Sequence, residues 1–128
     1  RYLMIKFEGR LLLFDKTDDL GYRFSKECRL HILDTLPILF ENKFCGMASI
    51  IRDERGLIAK MEVDDKDNRL SNFCYRKIGI GGGYRLAEKH FSDKYKCTVV
   101  DEATLLYVVF TDRPVDEAYY MIVSKEEM

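Results

Sequence analysis

The segment from Leu57 to Asp64 alternates between apolar and charged residues, and this period of two is the pattern that most restricts how the chain can fold. Its charged members, Lys60 and Glu62, fall on one side of an extended chain. Its apolar members fall on the other side: Leu57, Ala59, Met61 and Val63. One apolar and one charged face are typical of an antiparallel sheet that covers a core on one side only. The segment therefore predicts a half-buried antiparallel strand.

Short apolar runs of the same kind recur along the chain and are separated by turn residues. We expect further strands at Leu3 to Phe7, Leu11 to Phe14, Ile38 to Phe40, Gly46 to Ile51, Tyr95 to Val100 and Thr104 to Thr111. Polar clusters at Asp15 to Gly21 and Asp53 to Gly56 predict turns, the second with a positive φ at Gly56.

Ser25 predicts the N-cap of a short helix that extends to Leu33 and ends before Pro37. The apolar residues of this helix would be Cys28, Leu30, Ile32 and Leu33. Taken with the strands, it predicts a mainly β fold of the α+β class. We expect an antiparallel β-barrel of six to eight strands with one or two short peripheral helices.

Size and charge limit the classes of protein to consider. A chain of 128 residues with 47% hydrophobic residues is long enough for one core, so residues 1–128 are expected to form a single domain. Its formal net charge of -1 supplies no basic field, which argues against nucleic acid as a partner. No apolar run approaches the roughly 18 residues of a membrane span, so no membrane partner is expected. Because the chain opens at Arg1 without Met, we expect a trimmed N-terminus or a removed leader.

The four cysteines form no Cys-x-x-Cys pair, so neither a zinc site nor a redox motif is predicted, and we expect no metal and no cofactor. They lie at Cys28, Cys45, Cys74 and Cys97. We expect them to be free and mostly buried thiols in a reducing cytoplasm. The glycine cluster Gly79 to Gly83 lacks the Lys-Ser/Thr of a phosphate-binding loop and predicts a strand that another segment approaches closely.

Five blocks of sequence occur in an order that carries a family resemblance. They are Gly9 to Gly21, Leu36 to Ala48, Asp53 to Val63, Ile80 to Tyr84 and Leu105 to Ala118. This order resembles the prohead proteases of tailed bacteriophages, the capsid-maturation serine proteases whose fold is shared with herpesvirus assemblins. The resemblance implies an assemblin-like barrel and a role with capsid or scaffold polypeptides.

The residues that this family needs for catalysis are replaced here. Asn42 stands at the position of the family's histidine base and Gly81 at that of its serine nucleophile. Neither residue can perform that chemistry, because Asn has no group that titrates near neutral pH and Gly has no side chain. The family's acidic residue would fall near Leu106 or Tyr107. We therefore predict no catalytic residue, with Asn42 and Gly81 as relict positions that face one another across a shallow groove within about 10 Å.

The resemblance and these replacements lead to the hypothesis of an inactive domain of phage or prophage capsid assembly in the bacterial cytoplasm or the prohead. It would bind capsid or scaffold polypeptides or associate as a homodimer, with Gly82, Gly83 and Tyr84 as candidate substrate-binding residues. One alternative is an active capsid-maturation protease in which a serine or cysteine works with His31 or His90. Another is an unrelated small β-barrel binding module. Cys45, close to Asn42 in sequence, is the cysteine considered for such a displaced pair, although packing is the simpler role.

Overall fold

Eight strands build the described part of the chain and belong to one sheet. The computed structural model describes residues 3–64, 79–111, 115 and 121–127. The strands are β1 (Leu3–Leu13), β2 (Tyr22–Ile32), β3 (Leu36–Phe40), β4 (Lys43–Arg52), β5 (Gly56–Asp64), β6 (Gly79–Ser92), β7 (Cys97–Thr111) and β8 (Met121–Glu127). The mainly β prediction is confirmed.

Strand β7 is shared between the two halves of the sheet. Strand β6 pairs antiparallel with β7 from one of its ends to the other. Strands β2 and β3 both pair with β7 in parallel, β2 through Thr98 to Leu105 and β3 through Val108 and Val109. Because β6 occupies one edge of β7 along its whole length, β2 and β3 must follow each other along the other edge. The sheet then continues through β4, β5 and β1 to β8.

The expected antiparallel barrel is not what the described residues form. Two of the seven strand pairings, β2 with β7 and β3 with β7, are parallel, and the sheet is therefore mixed. Strands β1 and β6 approach each other, but no ladder of backbone hydrogen bonds joins them within residues 3–64 and 79–111. The sheet thus wraps round its core without closing, and we call the gap between β1 and β6 the seam.

The predicted helix from Ser25 to Leu33 is wrong, because these residues belong largely to strand β2. The β2–β7 register is interrupted by a bulge between Phe24 and Arg29, in which Lys26 and Glu27 are exposed between the buried Phe24 and Cys28. Ser25 does not cap a helix. Its hydroxyl lies inside the bulge, where it accepts a hydrogen bond from the Glu27 amide at 3.1 Å and donates one to the Glu27 carboxylate at 2.8 Å. The described part of the chain contains no helix, so the peripheral helices are not found there.

The period-two segment behaves as predicted. In β5, Leu57, Ala59, Met61 and Val63 are buried while Lys60 and Glu62 are exposed. The hairpin before β5 has Gly56 at φ 153°, as expected. A side chain at Gly56 would collide with the Leu12 carbonyl, so this close approach also requires glycine. The two strands expected at Tyr95 to Val100 and Thr104 to Thr111 are one continuous strand, β7.

One apolar core lies inside the curved sheet. Phe7 on β1 packs against Phe110 on β7 with ring centroids 4.9 Å apart, although three strands separate β1 from β7 in the sheet order. Phe40 on β3 meets the same Phe110 ring at 6.3 Å. Curvature therefore brings both halves of the sheet onto a shared set of aromatic side chains. The described residues include no helix that is long and apolar enough to cross a membrane.

Two arginine side chains connect elements that are distant in sequence: Arg10 connects β1 to the β4–β5 turn, and Arg52 connects β4 to the bulge in β2. Arg10 on β1 binds Asp53 in the β4–β5 turn through two bonds of 2.9 and 3.0 Å. Asp53 also accepts the amides of Arg55 and Gly56, which fixes the turn. Arg52 donates to the carbonyls of Lys26 and Cys28, at 2.9 and 3.2 Å, where the bulge in β2 interrupts its ladder with β7.

The Arg10–Asp53 pair predicts how stability depends on pH. The Arg10 guanidinium holds the pKa of Asp53 well below its usual range, with help from the turn amides. A carboxyl with a lowered folded pKa stabilises the fold above its unfolded pKa of about 4, and this contribution is lost as pH falls further. We expect Asp53→Asn to lower the urea midpoint at pH 7, and the difference from wild type to shrink between pH 4 and pH 2.

Glu54→Gln, an exposed change in the same turn, is the matched control and should leave the midpoint at pH 7 unchanged. A deficit of Asp53→Asn that stays constant from pH 7 to pH 2 would contradict the assigned role of the ion pair.

Candidate functional site

A groove with a cavity volume of about 400 Å³ lies beside the seam, and we call it the seam groove. Its lining comes from β1 (Leu11, Leu12), the loop before β2 (Asp18, Leu20) and β6 (Gly81, Gly82, Tyr84, Leu86), with Tyr22, Phe24, Val109, Thr111 and Val115 completing it. Three of the sequence-predicted site residues, Gly81, Gly82 and Tyr84, thus lie together here. Gly83 and Asn42 are not part of this lining.

The glycines of β6 make room for two aromatic rings. A side chain at Gly82 would meet the Tyr84 ring at 2.6 Å, and one at Gly83 would collide with the Tyr107 ring. Gly81 differs, because a Cβ there would lie in ordinary contact, 3.4 Å from a methyl group of Val109. The rings of Tyr84 and Tyr107 therefore explain Gly82 and Gly83, whereas a Cβ at Gly81 would meet no ring and only the Val109 methyl group.

Tyr84 forms part of the groove by packing across to β2. Its ring centroid lies 4.8 Å from that of Phe24 in a tilted arrangement. This contact is typical of stabilising aromatic pairs. Phe24 is 5% exposed and belongs to the core, so the groove wall at this point is continuous with the core and is held rigidly by it.

Asp18 organises the loop that forms the opposite wall. Its Oδ1 accepts the amides of Leu20 at 2.9 Å and Tyr22 at 3.0 Å, the arrangement of an Asx turn. Burial raises the pKa of the Asp18 carboxyl, and neighbouring Asp19 adds to the rise, although the backbone amides oppose it. The loop is tied to β7 where the Thr98 amide donates to the Gly21 carbonyl at 2.9 Å.

Asn42 occupies the hairpin turn between β3 and β4. Phe40 pairs with Lys43, so the loop has two residues, Glu41 at φ 51° and Asn42 at φ 65°. Two positive φ values in a two-residue loop are the signature of a type I′ turn, in which Asn is strongly favoured. The turn therefore accounts for this asparagine by conformation alone.

Gly81 and Asn42 do not lie on neighbouring strands. Gly81 pairs with Val109 from one edge of β7, and Leu39 pairs with the same residue from the other edge. Two strand spacings, about 10 Å, thus separate Gly81 from Leu39. Asn42 lies beyond the end of β3, in an exposed turn.

Both histidines lie in strands and face carboxylates on the exposed surface of β2, β6 and β7. His31 is in β2 rather than in a helix, with Nε2 2.8 Å from Glu102, and this bond lowers the pKa of Glu102. His90 is in β6 rather than in a turn, with Nδ1 2.6 Å from Asp101. Neither histidine lines the seam groove.

Cysteine packing gives little support to a displaced nucleophile. Cys28 and Cys97 are buried and Cys45 is half-buried. Cys45 Sγ lies 3.5 Å from the Ile38 carbonyl, to which it donates. Cys74 and Ser71, also considered in the sequence, lie outside the described residues. No group of three potential metal ligands occurs in the described part of the chain.

A larger cleft of about 1010 Å³ lies over β1, β4 and β5, but its charges are already matched. The β1–β5 register sets Lys6 opposite Glu62 and Glu8 opposite Lys60. Opposite charges at facing positions stabilise a sheet. This face therefore reads as a solvated sheet surface, and the seam groove is the better candidate site.

Sequence reasoning missed the loop wall of the groove. Asp18 and Leu20 were interpreted only as turn residues, because nothing in a polar loop indicates which strand it will cover. The Asp-x-x-Gly spacing from Asp18 to Gly21 was the available signal, since it predicts an Asx turn that fixes the loop. No protein-family model, no curated protein and no solved structure matches the chain. What the groove can do is therefore inferred from its own residues.

The turn at Asn42 gives a direct stability prediction. Asn42→Gly should match wild type, since glycine adopts positive φ without strain. Asn42→Ala should lower the free energy of unfolding by about 1 kcal/mol, because Ala is disfavoured in this conformation. Urea unfolding measures both, with the exposed Lys43→Ala as the control. Equal stability of Asn42→Ala and Asn42→Gly would show that the turn does not require this residue.

Thiol labelling tests the inert character of Cys28. Burial raises the pKa of the Cys28 thiol to about 11, so very little thiolate exists at pH 8. Iodoacetamide at pH 8, followed by peptide mass mapping, should modify Cys28 far more slowly in the folded protein than in urea. Labelling of Cys28 at the same rate in both states would contradict its assignment as a packed thiol.

Proposed function

We propose that this chain is a non-catalytic binding and assembly domain that holds a segment of a partner polypeptide in the seam groove. The five-block resemblance suggests the setting: capsid assembly of a phage or prophage in a bacterial cell, with a capsid or scaffold polypeptide, or a second copy of the chain, as partner. In that setting the domain is prohead-protease-like and has lost the family's catalytic residues.

The lining of the seam groove is the observation that carries the proposal. It is apolar except for Asp18, Thr111 and two tyrosines, and its described residues include no serine, cysteine or histidine. Peptide hydrolysis by a serine or cysteine needs a nucleophile and an adjacent base. The described lining of the groove supplies no serine or cysteine nucleophile and no histidine base. It does supply apolar surface, which binding requires.

The backbone beside the groove favours a polypeptide as the occupant. Within the described ranges, β6 pairs only with β7, and no ladder joins its other edge, which faces β1 across the seam. Gly81 projects no side chain over this region, which allows another chain to come close. Extended segments bind to such edges in many complexes, with pockets receiving alternate side chains.

A groove-filling variant tests the location of binding. Heptapeptides selected from a displayed random library against the whole domain are measured for affinity by fluorescence polarisation. Gly81→Leu should weaken their binding at least tenfold, because the new side chain occupies the groove. Gly81→Ala should weaken peptide binding less than Gly81→Leu does. It provides a second measurement if the leucine variant does not fold. Ser49→Leu, an exposed change on β4, is the matched control and should have no effect.

Active-site probes test the non-catalytic part. A fluorophosphonate and iodoacetamide should give no saturable, stoichiometric labelling of the folded domain at a single residue. Saturable labelling that is lost on mutation of His31 or His90 would establish the alternative, an active protease with displaced residues. Selected peptides that bind equally to wild type and Gly81→Leu would overturn the groove as the binding site.

A further inference from the structure

The seam groove carries a single charged residue. Of the described residues that line it, Asp18 alone belongs to a residue type that is charged at neutral pH, and the others are apolar residues, glycines, tyrosines and Thr111. Asp18 forms no ion pair with any described residue. A lone carboxylate in an apolar wall attracts cationic side chains and repels anionic side chains of a bound polypeptide.

The carboxylate of Asp18 is held in place rather than free to turn into solvent. Both loop amides, from Leu20 and Tyr22, donate to Oδ1, and the Gly21 amide donates to the Asp18 carbonyl at 3.1 Å. Oδ2 takes no part in the two side-chain bonds. A carboxylate fixed in this way keeps its charge at the groove without a further entropy cost on binding.

We propose that the seam groove selects polypeptide segments in which apolar side chains flank a lysine or arginine, and that Asp18 receives the cationic side chain. This inference rests on the proposed polypeptide-binding function and names the class of segment that the groove takes. Charge complementarity carries it, because Asp18 is a half-buried anion that forms no ion pair with any cation of the described residues.

The surroundings of Asp18 favour this pairing. Leu20 is 70% exposed beside it and offers apolar surface to the aliphatic part of a lysine or arginine. Burial raises the pKa of Asp18 and Asp19 raises it further, so a cation that displaces water there meets a poorly solvated carboxylate. An acidic segment would meet repulsion from both carboxylates and should be rejected.

The experiment uses three synthetic peptides on the whole domain, acetylated and amidated at their ends: Leu-Val-Lys-Val-Leu, its norleucine analogue and its glutamate analogue. Norleucine keeps the aliphatic length of lysine without the charge. Isothermal calorimetry at pH 7 should show the lysine peptide binding about tenfold more tightly than the other two. This preference should weaken as pH is lowered to 4 and Asp18 takes up a proton.

Asp18→Asn isolates the charge, because the amide Oδ1 can still accept the Leu20 and Tyr22 amides. In this variant the lysine and norleucine peptides should bind equally, and the pH dependence of their difference should disappear. Asp19→Asn, an exposed neighbour in the same loop, is the matched control and should keep the preference for lysine.

The outcomes separate this inference from the proposed function. Equal binding of all three peptides to wild type, or a lysine preference that survives Asp18→Asn, overturns the role of Asp18 but leaves groove binding intact. No binding of the lysine peptide to wild type also overturns the inference. Failure of the proposed function shows itself separately, as insensitivity of library-selected peptides to Gly81→Leu.

Discussion

A strand has only two edges, and the use of both edges of β7 determines the architecture. One edge is taken by β6 throughout, so the other must serve β2 and β3 in succession. The chain can do this because residues 33–35 form a short turn that lets β3 continue in the direction of β2. From β3 the antiparallel series β4, β5 and β1 curves back until Phe7 reaches Phe110. The seam and its groove lie where this curvature ends without pairing.

Local pattern and long-range pairing were not equally predictable. The strand β5 and the turn at Gly56 follow from alternation and from one glycine, and both are confirmed. The helix prediction at β2 rests on Ser25 as an N-cap and on Pro37 as a stop, although Cys28, Leu30 and Ile32 alternate as in a strand. Ser25 lies instead in a bulge, and a bulge depends on what lies alongside. Its carbonyls are bound by Arg52, which comes from another strand. Nothing in the local sequence around Ser25 carries that information.

The candidate site was likewise predictable in part. The glycine cluster indicated a close approach, and the structure identifies the approaching groups at Gly82 and Gly83 as the rings of Tyr84 and Tyr107. Asn42 was interpreted through a family pattern, whereas its backbone gives a sufficient reason for the residue. Asp18 became visible only with the fold, since its significance lies in being a carboxylate among apolar residues from four strands and the adjoining loops.

The shared use of β7 also bears on the order in which the chain can acquire its structure. Strand β2 must wait for a partner that begins at Cys97, long after it has left the ribosome, whereas β3, β4 and β5 can pair as soon as they are made. Pairings between distant parts of a chain are slow to form because they require closing a large loop. Until β7 is synthesised, β2 lacks the one strand with which it forms a ladder among the described residues, and the nascent domain depends on its central antiparallel strands.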